Sequence, residues 1–166
     1  EDGMAVSEAV AKAMELGYTE PDPRDDLSGM DVARKLLIVA REIGLQLELS
    51  DVEVEPAIPM ESISQVDKAD LLPAIRGLDV AFADKVAQAA AAGKVLRYVG
   101  SIKDGKCRVA VEAVPRDQPL GAIRDGENAL VLHTHYYQPI PMVLRGYGAG
   151  AANLIAAARF VIARDS

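Results

Sequence analysis

The sequence predicts an α+β fold, in which a mixed, largely antiparallel sheet is covered by helices. Two observations lead to this class. Helical and strand patterns are mixed along the chain, and two β-rich runs flank Asp104-Gly105, a dipeptide typical of hairpin turns. The chain has 166 residues, of which 50% are hydrophobic, which is enough for one compact domain or for one domain with an appendage.

The predicted helices have apolar residues at helical spacing and glycine stops at their ends. Ser28 with Asp31 matches a capping pattern, and Asp79 is expected to cap its own helix. A shorter helical piece, "KADLLPAIRGL", should be interrupted at Pro73. The longer helices are predicted for Met4 to Gly17, Ser28 to Gly44 and Asp79 to Gly93.

Strands are predicted where apolar residues alternate or β-branched residues cluster. The segment "LQLELSDVEVEP" alternates, with a possible break near Ser50, and "KVLRYVGSIKDGKCRVAVEAV" should form a hairpin. Two short strands, "ALVLHTH" and "PMVLRG", should follow, and then a glycine turn and an Ala-rich helix should close the chain. We therefore divide the chain into residues 1–145 and an appendage, residues 146–166.

Charge and composition exclude several classes of function. The net charge is −7 and no basic stripe with interleaved aromatic residues is present, so we expect neither nucleic-acid nor membrane binding. No apolar run reaches the roughly 20 residues that a membrane-spanning helix needs. Cys107 is the only cysteine, so an internal disulfide is impossible, which fits a reducing cytoplasm.

The most distinctive local feature is a crowd of acids before the second helix. Between Glu20 and Asp31 the chain holds five acids and one base. Asp31 and Lys35 lie four residues apart on one helix face, and Glu20 and Asp26 lie just upstream, in a segment that two prolines are expected to hold as a stiff loop. A lysine ringed by carboxylates stays protonated and can donate a proton to a carbonyl or alkoxide oxygen, while the other carboxylates can hold an ammonium group. The alternative is that these acids merely cap a helix and form an ordinary surface ion pair.

Two other patterns are weaker evidence for a binding site. In "RGYGAG", Gly148 and Gly150 precede the last predicted helix; such a turn suits a nucleotide phosphate, but also an ordinary tight connection between a strand and a helix. His133 and His135 would share one face of a strand and could form half of a metal site. No third ligand lies at useful spacing, and we expect no metal here.

The acidic segment, taken whole, resembles the signature of the homoserine dehydrogenases. "GYTEPDPRDDLSGMDVARK" is similar to that family over nineteen consecutive positions, and "GKVLRYVGSI", "DGENALVL" and "HYYQPIPMVLRGYGAG" agree with it. The ending is most similar to the bifunctional bacterial enzymes, in which aspartate kinase is fused to homoserine dehydrogenase.

The resemblance implies a reaction and a set of roles. L-homoserine and L-aspartate 4-semialdehyde would be interconverted with NAD or NADP, in threonine and methionine biosynthesis. Lys35 would exchange a proton with the substrate oxygen, Asp31 would orient lysine and substrate, and Glu20 and Asp26 would line the substrate pocket. Gly148 and Gly150 would lie against the nucleotide. Residues 1–145 would bind substrate and form a homodimer or a higher assembly of this chain.

The chain also departs from the family. It begins "EDGM", and no dinucleotide fingerprint is present, so we expect a piece of a longer polypeptide whose Rossmann half binds most of the cofactor. After Gly150 the sequence diverges from the family's usual helix start. Two alternatives stay open. The isolated chain could be a dimerisation module without activity of its own, or the acids and the histidine pair could serve a metal-dependent enzyme.

Overall fold

The computed structural model describes residues 3–124, 127–147 and 160–163. In these ranges the helices are α1 (Val6–Glu15), α2 (Arg24–Leu27), α3 (Met30–Glu42), α4 (Leu71–Arg76) and α5 (Asp79–Ala91). The strands are β1 (Val52–Val54), β2 (Lys94–Lys103), β3 (Lys106–Pro115), β4 (Glu127–His133), β5 (Met142–Tyr147) and β6 (Phe160–Ala163). None of the helices in these ranges is long and apolar enough to cross a bilayer.

The strands form one mixed sheet in the order β1-β3-β2-β6-β4-β5. The two longest pairings, β2 with β3 and β4 with β5, are antiparallel. The shorter pairings of β1 with β3, and of β6 with β2 and β4, are parallel. The predicted α+β class is confirmed, and so are the hairpin and the two short strands after it.

The β2–β3 hairpin turns at the predicted dipeptide. Asp104 has a φ of 50° and Gly105 a φ of 73°, so both central residues are left-handed, as a type I′ turn requires. The register then runs from Lys103 opposite Lys106 to Lys94 opposite Pro115. This ladder forms the long central part of the sheet.

Helix α3 lies across one face of the sheet and positions the predicted site. Its buried stripe packs against β1, β2 and β3, and this burial orients the helix about its own axis. Asp31 and Lys35 flank the stripe and stay half-exposed. The buried residues of α3 are Val32, Ala33, Leu36, Leu37 and Ala40.

A second apolar cluster lies beneath the acidic segment. Leu27 of α2 is buried in it, and Pro23 is among the most deeply buried residues of the chain. The acidic segment is therefore anchored by its apolar residues, and its carboxylates remain nearer the surface. The other buried members of the cluster are Val10, Ile58, Ile63, Leu71 and Ile75.

Several local predictions need correction. Of the segment "LQLELSDVEVEP", only Val52–Val54 forms a strand. Arg24–Leu27 forms a short helix where the sequence indicated only a stiff loop. Helix α4 runs through Pro73 without interruption, because proline in a first turn removes an N–H that has no helical partner. Asp79 does not cap its own helix; its carboxylate accepts hydrogen bonds from the backbone N–H of Ser7 at 2.9 Å and from its hydroxyl at 2.7 Å.

The chain's end also differs in part from the expectation. At Phe160–Ala163 the predicted Ala-rich helix is wrong, because these residues form β6 between β2 and β4. An aromatic and β-branched run favours a strand, and here it pairs backbone groups of both neighbours. The rest of that helix lies outside the described residues. The division at residues 145 and 146 stays a prediction.

Candidate active site

Two consecutive helices carry most of the predicted site residues. Helix α2 carries Asp25 and Asp26, and α3 carries Asp31 and Lys35. The predicted capping by Ser28 with Asp31 is not formed; the Ser28 hydroxyl donates to the carbonyl of Asp25 at 2.7 Å and accepts from the Met30 N–H at 3.3 Å. The acids of this segment are thus left for other contacts.

Lys35 and Asp31 form the ion pair that their spacing predicts. Lys35 Nζ lies 2.7 Å from Asp31 Oδ2, and the two side chains are 41% and 46% exposed. A pair this open to water contributes less than about 1 kcal/mol to stability. Its value is geometric, because the carboxylate holds a charged amine on the accessible face of a rigid helix.

Glu20 and Asp26 lie close together in the structure. The backbone N–H of Glu20 donates to Asp26 Oδ2 at 3.1 Å, which closes the segment back on itself. Partial burial raises the pKa of Asp26, and the negative charges of Glu20, Asp31 and Asp25 raise it further, against the opposing effect of that hydrogen bond. Asp26 therefore lies close enough to Asp31 for the two carboxylates to repel.

The negative charge of Asp26 should oppose folding at neutral pH, and replacing Asp26 with asparagine should remove this effect. Because the folded chain binds this proton more tightly than the unfolded chain, the contribution of Asp26 to stability falls as pH rises through its raised pKa. Asp26→Asn keeps an oxygen that can accept from Glu20. We expect it to raise the free energy of unfolding by about 0.5 kcal/mol near neutral pH, a value discounted for solvent screening.

Urea denaturation of both proteins checks this prediction. The difference should disappear well below the ordinary aspartate pKa of 3.8, where both states of the wild type are protonated. Asp84→Asn, on the exposed face of α5, is the matched control and should change little. Equal or lower stability of Asp26→Asn at neutral pH would contradict the electrostatic account of the cluster.

Two residues that the sequence did not single out lock the turn between α2 and α3. Gly29 has a φ of +80°, and the Tyr98 hydroxyl occupies the space where a β-carbon would stand, 1.8 Å away. That hydroxyl donates to the carbonyl of Glu55 at 2.8 Å. Burial and the charge of Glu55 raise the pKa of Tyr98 to about 12, so the phenol stays protonated as a donor. A glycine directly before a helix was the available sequence signal.

The remaining predicted sites contribute little to this arrangement. Gly148 and Gly150 lie outside the described residues, so their expected contact with a nucleotide stays a prediction. His133 ends β4, and His135 lies in the exposed loop that follows. In the part of the chain that the structure describes, no group of three or more His, Cys, Asp or Glu side chains could hold a metal ion.

The chemistry of the cluster follows from its charges. The carboxylate of Asp26 is repelled by those of Glu20 and Asp31 unless a cation lies among them. Lys35 neutralises only Asp31 by direct contact. The arrangement can therefore attract a ligand ammonium group, and it presents a positioned amine as a proton donor or acceptor to an oxygen of the same ligand.

Comparison with known proteins identifies the family. The profile of the homoserine dehydrogenase family matches residues 1–160. A bifunctional aspartokinase/homoserine dehydrogenase of Haemophilus influenzae is 57% identical over 152 residues, which are 92% of this chain and 19% of that protein. A homoserine dehydrogenase of Emericella nidulans is 41% identical over 151 residues, 87% of this chain and 41% of that protein.

Solved structures agree with these sequence relatives. A Candida auris protein of unknown function superposes with a TM-score of 0.82 at 35% identity, over 95% of this chain and 44% of that one. A putative homoserine dehydrogenase of Archaeoglobus fulgidus superposes with a TM-score of 0.63 at 26% identity, over 94% of this chain and 41% of that one. With a signature segment that carries the Asp31–Lys35 pair and the neighbouring carboxylate of Asp26, this chain belongs to the homoserine dehydrogenase family.

Proposed function

We propose that this chain supplies the substrate-binding and proton-transfer part of an enzyme that interconverts L-homoserine and L-aspartate 4-semialdehyde. The observation that carries the proposal is the Lys35–Asp31 pair, 2.7 Å between Nζ and Oδ2, beside the mutually repelling carboxylates of Asp26 and Glu20. Membership of the family supports the reaction type. The chain spans only 19% of the Haemophilus influenzae relative, so further parts of such an enzyme lie elsewhere in that polypeptide.

The proposed roles of the three carboxylates and of the lysine follow from their charges. The carboxylates of Glu20, Asp26 and Asp31 hold the ammonium group of the amino acid, which both the alcohol and the aldehyde carry. Lys35 lies at the reacting end, where reduction of the aldehyde carbon leaves an alkoxide. The lysine gives this oxygen a proton and becomes a neutral amine; in the oxidation of homoserine it takes the hydroxyl proton back.

A bound NAD or NADP would supply or receive the hydride. We propose that residues outside this chain bind most of the dinucleotide and recognise its ribose, which distinguishes the two cofactors, with Gly148 and Gly150 beside it. This chain's own residues orient the substrate, and the ion pair with Asp31 holds the Lys35 amine in place until the proton moves.

Calorimetric titration of the chain with L-homoserine tests the proposal. We expect saturable binding, and we expect 4-hydroxybutanoate, which lacks only the amino group, to bind far more weakly because the carboxylates then have no cation to neutralise. Equal affinity for the two ligands would exclude the proposed ammonium site. No binding of homoserine would instead favour a purely structural module.

A turnover assay tests the second part of the proposal, that residues outside this chain bind most of the dinucleotide. The chain alone, mixed with NADPH and aspartate 4-semialdehyde, should consume no NADPH, because the proposed cofactor site is mostly elsewhere. Appreciable NADPH loss would overturn this division of labour and would assign the dinucleotide site to these residues.

We also propose that the chain pairs with a second copy. In the described sheet β1 and β5 are outer strands, whose free backbone groups can bind another strand. Leu144 on β5 is 51% exposed, and Ile140, in the loop before it, is 80% exposed. Sedimentation should give a dimer; only monomer at high concentration would count against the pairing.

A further inference from the structure

We infer that Arg24 is a positioning residue of the acid site, which fixes the acidic segment to a second segment, residues 63–66. The inference rests on the proposed function for the ligand it concerns. Arg24 is the only base between Glu20 and Asp31, and it directly precedes Asp25 and Asp26. Its hydrogen bonds go to Asp22 and to backbone carbonyls of that second segment.

The guanidinium of Arg24 donates hydrogen bonds to one carboxylate and to two backbone carbonyls. Nε lies 2.9 and 3.1 Å from the two carboxylate oxygens of Asp22, and Nη2 lies 2.7 Å from Oδ2. Nη1 donates to the carbonyl of Val66 at 2.8 Å and to that of Ile63 at 3.3 Å. One planar group thus joins the start of the acidic turn to a distant segment.

This arrangement has a local consequence for the site. Asp22 also accepts the backbone N–H of Arg24 at 3.1 Å, and the hydrogen bonds from Arg24 lower the pKa of this carboxyl. Asp22 is thereby used for structure. The carboxylates of Asp25, Asp26 and Glu20 stay outside the arginine's hydrogen bonds, so the only base in the segment does not neutralise the proposed ammonium site.

Lysine cannot reproduce these contacts. Its ammonium is a single point with three donors, whereas Arg24 spans a carboxylate on one side and two carbonyls on the other. Arg24→Lys therefore keeps the positive charge and loses the hydrogen bonds that join the two segments. Elsewhere on the chain, Arg41 offers a matched control, since its guanidinium contacts Glu48 at 2.8 Å and the carbonyl of Leu47 at 3.0 Å.

The test compares Arg24→Lys, Arg24→Met and Arg41→Lys in the whole chain. Each variant is measured for its thermal unfolding midpoint, its affinity for L-homoserine and its amide hydrogen exchange over residues 20–31. We expect Arg24→Lys to remain folded, to exchange faster in that segment and to lose about tenfold in affinity, a loss similar to the smaller ones found for groups that orient metal ligands. Arg24→Met should lose at least as much, and Arg41→Lys should keep wild-type affinity.

The outcomes are separable. If Arg24→Lys lowers only the unfolding midpoint, and the folded protein binds homoserine as the wild type does, Arg24 is merely structural and the inference is overturned. If the wild type itself does not bind homoserine, the proposed function fails, and hydrogen exchange still decides whether Arg24 holds the acidic segment: unchanged exchange in Arg24→Lys would refute that role as well.

Discussion

Lys35→Met is expected to abolish most turnover while leaving the fold intact. Methionine keeps the length and apolar stem of lysine but cannot carry a proton, so the alkoxide must take its proton from water. General acid catalysis of this kind contributes about a hundredfold to ten-thousandfold, and we expect kcat to fall roughly a thousandfold. The fold should survive, because Lys35 is 41% exposed and the surface ion pair with Asp31 stabilises it little.

The measurement is the oxidation of L-homoserine by a polypeptide that joins this chain to a dinucleotide-binding domain. Circular dichroism of the variant checks its fold. Lys12→Met, an exposed lysine on α1, is the matched control and should keep wild-type activity. Activity of Lys35→Met within about tenfold of wild type would remove Lys35 from the proton-transfer step.

Gly29→Ala should destabilise the fold more than any of the other substitutions proposed above. An added β-carbon would stand 1.8 Å from the Tyr98 hydroxyl, and the backbone φ of +80° disfavours any side chain. Tyr98 cannot simply turn aside, because its hydroxyl is bonded to the carbonyl of Glu55 and its ring packs in the cluster under α3. Left-handed strain and overpacking together should lower the free energy of unfolding by about 2–4 kcal/mol.

Gly17→Ala separates the two causes. Gly17 has a φ of +69°, and no described residue of the chain lies within 4 Å of the position that the methyl group of an alanine would take, so only backbone strain of about 1–2 kcal/mol should appear there. Chemical denaturation of both variants gives the comparison. If Gly29→Ala were no less stable than Gly17→Ala, the close approach of Tyr98 to the turn would contribute nothing to the fold.

Short-range patterns predicted much of the secondary structure. Helix α3, the Asp104-Gly105 hairpin and the i, i+4 pair of Asp31 with Lys35 depend on residues close together in the chain, so spacing alone was sufficient. Pro73 was misjudged because its effect depends on its place in the first turn of α4, and patterns locate helix starts poorly.

The sequence could not predict contacts between residues that are far apart in the chain. Arg24 donates to carbonyls about forty positions along the chain, and Tyr98 lies against Gly29 from the middle of the sheet. Backbone carbonyls carry no sequence identity, so no residue pattern marks them as acceptors. Strand β6 was missed for a related reason: a short run that could be helix or strand is decided by the unpaired edges it meets.

By itself, then, the sequence determined the α+β class, the acid-rich signature and the charge pattern that binds Lys35 to Asp31, because each of these is local. Only the tertiary structure decided which base lies on an accessible helix face and which is hydrogen-bonded to a distant segment. Arg24 and Lys35 both lie within the same signature. Their surroundings separate them, since Arg24 is enclosed by carbonyls of a distant segment while Lys35 remains on an open helix face.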